Sequence, residues 1–202
     1  MKYIYSILLM LLLASVSFAQ HNYFSGISYD VAVPMGNTAD YIDKTSFRGF
    51  GLEFRKYVKE HITVGGTASW QVLDQVRREE SYEVNNVVLT GNQRRFLNFF
   101  PILANAHYYF GEREDEEGNA KFLPFAGINA GVIYSIQRTE LGTLEEEKSA
   151  WQPTLAPEAG FFLPINNYLN IMVSAKYNYS VGMGDMEQQS FIGLRLGYYG
   201  YF

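Results

Sequence analysis

Apolar and polar residues take turns along most of this chain. Ile27, Tyr29, Val31 and Val33 fall on one side of an extended segment, and Gly26, Ser28, Asp30 and Ala32 on the other. A period of two marks a strand whose faces meet different environments. It predicts a first strand from about Tyr23 to Val33, followed by a polar loop from Met35 to Ser46 that Pro34 and Gly36 open. Phe50, Leu52 and Phe54 alternate with Gly51, Glu53 and Arg55 in a second strand ending near Val58, and Lys59-Glu60-His61 is a short turn. The third strand, Ile62 to Val72, alternates most cleanly, and a long polar segment from Asp74 to Arg95 follows it.

The fourth strand runs from about Phe96 to Phe110, with Ile102, Ala104, Ala106 and Tyr108 opposite Leu103, Asn105, His107 and Tyr109. After an acidic turn from Gly111 to Asn119, the fifth sets Pro124, Ala126, Ile128, Ala130, Val132 and Tyr134 against Gly127, Asn129, Gly131 and Ser135. A polar loop spans Thr139 to Ser149. In the sixth strand Leu155, Pro157, Ala159, Phe161 and Leu163 oppose Thr154, Ala156, Glu158 and Gly160. Pro164 to Asn167 makes a tight turn into the seventh, where Leu169, Ile171, Val173, Ala175 and Tyr177 oppose Asn170, Ser174, Lys176 and Asn178. The last strand puts Ile192, Leu194, Leu196, Tyr198, Gly200 and Phe202 on one face. Four of the six prolines fall inside these strands, and Pro101 and Pro157 are expected to mark bulges or local breaks in pairing.

Eight strands with short connections after the second and sixth, and long polar ones after the first, third and fifth, predict an all-β fold. The expected architecture is an eight-stranded antiparallel up-and-down transmembrane barrel with both termini in the periplasm. The acidic turn from Gly111 to Asn119 is longer than that pattern asks for. The N-terminus fits export. Met1-Lys2, an apolar run from Tyr3 to Leu13 and the small-x-small site Ser17-Phe18-Ala19 have the order of a secretory signal peptide over residues 1–19, cleaved after Ala19. The barrel domain would then be residues 20–202. Composition agrees: the chain is 16% aromatic, with 16 Tyr and 15 Phe, as aromatic girdles at two membrane interfaces require. Zero cysteines remove disulfides, zinc-thiolate sites and thiol chemistry, and a net charge of -5 speaks against nucleic acid as a partner.

The stretches Pro101-Ile102-Leu103, Pro124-Phe125-Ala126-Gly127 and Pro157-Glu158-Ala159-Gly160, and a last strand carrying Tyr198 and ending on Phe202, resemble the small eight-stranded outer-membrane β-barrel family that includes the OmpA transmembrane domain and OmpX. The resemblance covers the whole mature chain. It implies the bacterial outer membrane as location, with outer-membrane lipid and lipopolysaccharide as surroundings. It also implies Tyr198 and Phe202 as an assembly signal for the barrel-assembly machinery. Gly200 departs from the pattern, which has a bulky apolar residue two places before the end.

Asp30, Glu53 and Glu158 with Arg55, Lys176 and Arg195 are expected to face the lumen. An eight-stranded barrel has room only for its own side chains, and buried charges need partners, so the six predict an ion-pair network that plugs the barrel. A narrow channel or carrier for small solutes through the same charges is the alternative. A lipid A-modifying barrel enzyme is a third reading. His107 points inward with no Ser or Asp two places away, which reads as a structural histidine; no metal ligand set, catalytic residue or cofactor is expected. Ser81-Tyr82-Glu83-Val84 and Val87-Val88-Leu89-Thr90 flank Asn85-Asn86 and predict a hairpin that carries strands three and four beyond the membrane. Strands five and six are expected to do likewise around Leu141-Gly142-Thr143. The edge bearing Tyr82, Val84, Val87 and Leu89 could take an extracellular protein partner by strand addition, and Arg77, Arg78, Arg94 and Arg95 at its base could meet lipopolysaccharide phosphates. The function expected is therefore structural or surface-interaction (adhesion), without enzymatic activity. N-terminal sequencing of the exported protein should read Gln20 first; a retained Met1 would contradict the assigned cleavage site.

Overall fold

In the computed structural model, which describes residues 23–84, 87–113, 120–142 and 144–201, eight antiparallel strands close into one barrel in sequence order. They are β1 (Tyr23–Met35), β2 (Arg48–Lys59), β3 (Ile62–Val84), β4 (Val87–Tyr109), β5 (Leu123–Leu141), β6 (Leu144–Pro164), β7 (Leu169–Ser180) and β8 (Gln189–Tyr201). The proposed signal peptide lies outside the described residues. β1 closes on β8 along a long antiparallel register that sets Asp30 directly opposite Arg195.

Side chains alternate inward and outward on every strand with the parity the sequence predicts. On β2, for example, Phe50, Leu52 and Phe54 are exposed while Gly51, Glu53 and Arg55 are buried. The outward face is apolar between two aromatic rows. Phe50, Trp70, Phe100, Tyr134 and Trp151 are cross-strand neighbours over five strands, with ring centroids 5.7, 6.3, 6.5 and 5.0 Å apart in turn. At the other end lie Tyr108, Phe110, Phe122, Phe161, Tyr168 and Tyr198. Phe100 and Tyr108 are separated by about 27 Å of β4 at ~3.4 Å per residue, and a strand tilt of about 40° reduces that to a height of about 21 Å, a little under the roughly 25 Å apolar band of such barrels. Ile27, Leu52, Ile102, Ile128, Leu155, Leu194 and Leu196, each exposed, fill the band. In water this belt would drive aggregation; in lipid it is the solvent contact. The chain is a membrane-spanning barrel.

Pro101 and Pro157 produce breaks in pairing rather than bulges. The β3–β4 ladder lapses between Ala68↔Ile102 and Gln71↔Phe99, and the β6–β7 ladder between Leu155↔Tyr179 and Glu158↔Lys176, each resuming in unchanged register. A proline lacks one donor toward one neighbour, so the opposite ladder runs on past it.

Above the upper aromatic row the wall becomes uneven. β3 and β4 stay paired as far as Val84↔Val87, on the order of 45 Å of strand beyond Trp70, and β5 and β6 as far as Leu141↔Leu144. The hairpin expected around Asn85-Asn86 therefore does carry strands three and four beyond the membrane, and the segment Thr139 to Ser149, read from sequence as a polar loop, is mostly strand. β2 leaves β3 at Arg48↔Val72, and β7 joins β6 only from Thr154↔Ser180. The result is a four-stranded β3–β6 sheet that rises past the ends of β2 and β7, so that neither of those strands covers its two edges. The loop from Met35 to Ser46 contains a short helix, α1 (Gly36–Tyr41). Its six residues carry no apolar period to read; tertiary bonds hold it. Thr38 Oγ1 donates to Gln189 Oε1 and accepts from the Ser190 N–H, both at 2.8 Å, and the Tyr41 hydroxyl meets Thr139 Oγ1 at 2.6 Å.

Leu194→Arg should cost about 2–4 kcal/mol, because it sets a charge at mid-bilayer on the lipid face. Val76→Arg, outward but above the upper aromatic row, should cost no more than about 1 kcal/mol. Folding titrations of both variants into lipid vesicles check this; equal costs would misplace the belt.

Candidate functional site

The lumen is filled in three layers. At the end where β1 begins and β8 finishes, Phe24, Tyr57, Tyr109, Leu123, Phe125, Phe162, Met172 and Tyr199 form a buried aromatic floor. At the other end Ala32, Ile42, Leu73, Leu97, Phe99, Ile133, Met186 and Phe191 form an apolar lid, with Tyr41 of α1 and Ala150 packed on it. The charged residues occupy the space between.

Two carboxylates organise that middle layer. Glu53 accepts from Arg55 Nε at 2.8 Å, Asn105 Nδ2 at 2.7 Å, the Tyr199 hydroxyl at 2.6 Å and Arg195 Nη2 at 3.0 Å. Glu158 accepts from Arg195 Nη1 at 2.8 Å, Ser174 Oγ at 2.7 Å and Asn129 Nδ2 at 3.1 Å, and lies 3.2 Å from His107 Nε2. Four partners nearly exhaust the lone-pair directions of a carboxylate. Arg195 also lies 3.5 Å from Asp30, which accepts from Ser28 Oγ at 2.7 Å. Arg55 turns toward the floor, donating to the Tyr109 hydroxyl at 2.8 Å, with its guanidinium 4.7 Å from the Phe125 ring centre.

The structure thus brings together five of the six charged residues singled out in the sequence. Lys176 is the exception. It is buried beside them and directly opposite Glu158 in the ladder, yet its Nζ has no hydrogen-bond partner among the described residues. The carboxylate it faces is already occupied by Arg195, Ser174 and Asn129. Lys176 borders a small cavity lined in part by Asp30, Gln71, Asn178 and Arg195.

Spacing along the chain could not reveal the His107–Glu158 pair, whose members lie on different strands. Ligand atoms of Glu53, His107 and Glu158 all fall within 4.8 Å of one another. A metal would need carboxylate oxygens that already accept from Arg55 and Arg195, so this donor set is committed to guanidinium groups. Nor do Ser174, Glu158 and His107 form a nucleophilic relay. The Ser174 hydroxyl donates to the acid and not to the imidazole, so no base activates it. Facing a carboxylate, His107 Nε2 carries the ring proton, which leaves Nδ1 as a buried acceptor without a partner.

Outside the membrane, Tyr82↔Leu89 and Val84↔Val87 pair in the predicted hairpin; the side chains of residues 79–90 lie outside the described part. Arg77 donates to the Asp40 carbonyl at 3.0 Å. Arg95 donates to the Tyr41 carbonyl at 3.0 Å and stacks over the Tyr41 ring at 5.1 Å. These two arginines hold the β1–β2 loop against the projecting sheet; Arg78 and Arg94 are the exposed pair. Tyr198 sits outward in the lower aromatic row, 48% exposed. Phe202 lies outside the described residues.

No protein-family model matches the chain, and no curated relative is detected. Among solved structures, Neisserial surface protein A (NspA) aligns with 91% of this chain and 98% of its own at 12% identity, TM-score 0.53. The chain has the fold of the small eight-stranded outer-membrane β-barrels. Lower-scoring alignments are to Ail, the attachment invasion locus protein of Yersinia pestis (90% and 97% covered, 14% identity, TM-score 0.49), and OprG from Pseudomonas aeruginosa (91% and 98%, 12%, 0.46). At these identities the likeness is one of fold.

Arg195→Ala should destabilise the barrel by roughly 3–5 kcal/mol, because it leaves Glu53 and Glu158 short of buried counter-charge. Lys176→Met, of similar volume, should be close to neutral, because Nζ forms no bond to lose. Urea titrations in detergent or vesicles check the contrast; equal losses would mean that Lys176 is a working member of the network.

Proposed function

We propose that this protein is a non-enzymatic outer-membrane barrel whose filled lumen is a rigid base for the projecting β3–β6 sheet, and that the sheet meets a protein partner outside the cell. The observation that carries the reading is the contrast between the two parts. The lumen is spent on internal bonds, while the strands above it present backbone groups that neither β2 nor β7 covers. Such an edge takes a foreign strand by main-chain hydrogen bonding. The termini face the periplasm, because the long strands project from the opposite end. Insertion runs through the barrel-assembly machinery, with Tyr198 and Phe202 in the closing strand as its signal. The exposed Arg78 and Arg94, above the upper aromatic row, would meet lipopolysaccharide phosphates.

Planar-bilayer recordings should give no stable single-channel current; large steady currents would move the function to solute passage. Deleting residues 81–90 should abolish surface binding or adhesion while leaving the heat-modifiable barrel band on a gel intact. Val87→Pro should weaken binding far more than a single side-chain change in that hairpin, because it removes a backbone donor. Adhesion that survives the deletion would leave the hairpin inert.

A further inference from the structure

The lipid face of the barrel is not uniformly smooth. Around one level it carries a run of small side chains broken by a single ring: Gly200, Ser25, Phe54, Gly66 and Ala104 are successive cross-strand neighbours on β8, β1, β2, β3 and β4. Ile27, Leu52 and Tyr198 stand one row above them. A shallow furrow of ≈ 810 Å³ runs here, and a second of ≈ 540 Å³ continues it toward Phe50 and Tyr29, sharing Ile27, Leu52 and Tyr198.

Gly66 has no backbone reason to be glycine. A Cβ there would meet nothing closer than the Leu103 carbonyl oxygen at 3.6 Å, an ordinary contact. Its neighbour Gly65 differs, since a Cβ would fall 1.9 Å from the Phe54 carbonyl oxygen. Glycine weakens a strand interior, so what its presence at 66 achieves is the depth of the furrow. At the lower rim, Lys56 is exposed and directly opposite Tyr23. Its Nζ lies 4.9 Å from the Tyr23 ring centre, and that ring stacks on Phe54 at 5.6 Å. Among the described residues no carboxylate pairs with Lys56. An unpaired ammonium at the interface above an apolar trough matches an anionic head group above its chains.

We propose that this furrow is a binding site for an anionic phospholipid, its phosphate at Lys56 and an acyl chain laid along Phe54 and Gly66 toward Leu52. Lys56 to Leu52 spans about 14 Å of strand, about the depth of one leaflet of the roughly 25 Å apolar band. Placing the lipid in the periplasmic leaflet rests on the orientation proposed above; the site itself does not.

The protein is folded into vesicles of mixed phosphatidylglycerol and phosphatidylcholine, released in mild detergent, and its retained lipids are counted by native mass spectrometry. The unmodified barrel should retain phosphatidylglycerol in preference. Lys56→Gln should reduce that preference about fivefold without loss of folding, and Gly66→Leu, which fills the trough, should reduce retention of both lipids. Retention unchanged in Gly66→Leu, or no lipid on the unmodified protein, would overturn the proposal. So would a dimer that Gly66→Leu abolishes, because the furrow would then belong to a second barrel. Protease access that placed the termini outside the cell would overturn the orientation alone and leave the head-group preference standing.

Discussion

Arg195 is the constraint on which the rest of this barrel depends. From β8 its guanidinium reaches Glu53 on β2 and Glu158 on β6, and it lies beside Asp30 on β1. β8 and β1 are the only neighbouring strands joined from opposite ends of the chain, so their register owes nothing to a tight turn. A slip of one residue at that seam would exchange the faces of β8. Arg195 would then face the hydrocarbon, and Leu194 and Leu196 would turn into the carboxylate layer. A buried ion pair is a weak source of net stability, since desolvation offsets much of its attraction. Its effect here is on uniqueness: one register pairs every carboxylate, and its neighbours strand several charges at once.

Why the charges lie in the middle follows from what lies at the ends. The aromatic floor and the apolar lid separate the ionic layer from water on both sides. In that low-dielectric space each hydrogen bond to a carboxylate is strengthened, and each one missing is more costly. The neutral donors around Glu53 and Glu158, namely Asn105, Asn129, Ser174 and Tyr199, are therefore as necessary as the guanidinium groups. They fill lone-pair positions that two arginines cannot reach together. A barrel so filled resists deformation, which is what a long sheet standing on four of its eight strands requires.

Much of this was legible because a membrane imposes a strict period. Between the aromatic rows one face must be apolar, so alternation is sharp, and the inward set of Asp30, Glu53, Arg55, Glu158, Lys176 and Arg195 could be read directly. The cue fails where both faces are wet. Along Asp74 to Arg95 the inner and outer positions are alike polar, and strands that run on to Val84 and Val87 look like a loop interrupted by a hairpin. The helix α1 was hidden because Thr38 and Tyr41 hold it through distant partners. The His107–Glu158 pair and the isolation of Lys176 were hidden for a further reason. Parity says which face a residue takes, but not which of several donors crowding one carboxylate will reach it.

The two edges of the projecting sheet are not equivalent. Along β6 the exposed stretch is Leu144-Glu145-Glu146-Glu147-Lys148, where Arg138 bridges Glu145 and Glu147, and Lys148 meets Glu146 at 3.1 Å. Charged side chains along an edge are a common defence against unwanted pairing, because an incoming strand would have to desolvate them. Along β3 the lower edge is covered by the β1–β2 loop: the Ser46 hydroxyl donates to the Val72 carbonyl, Gln75 accepts from the Asp43 N–H, and Arg77 holds the Asp40 carbonyl. That cover ends at Arg77. Above it the sequence turns from Arg78-Glu79-Glu80 to Ser81-Tyr82-Glu83-Val84, with β-prone residues at alternate positions. The two edges thus differ in kind: β6 is guarded by charge, and lower β3 is buttressed by the β1–β2 loop as far as Arg77.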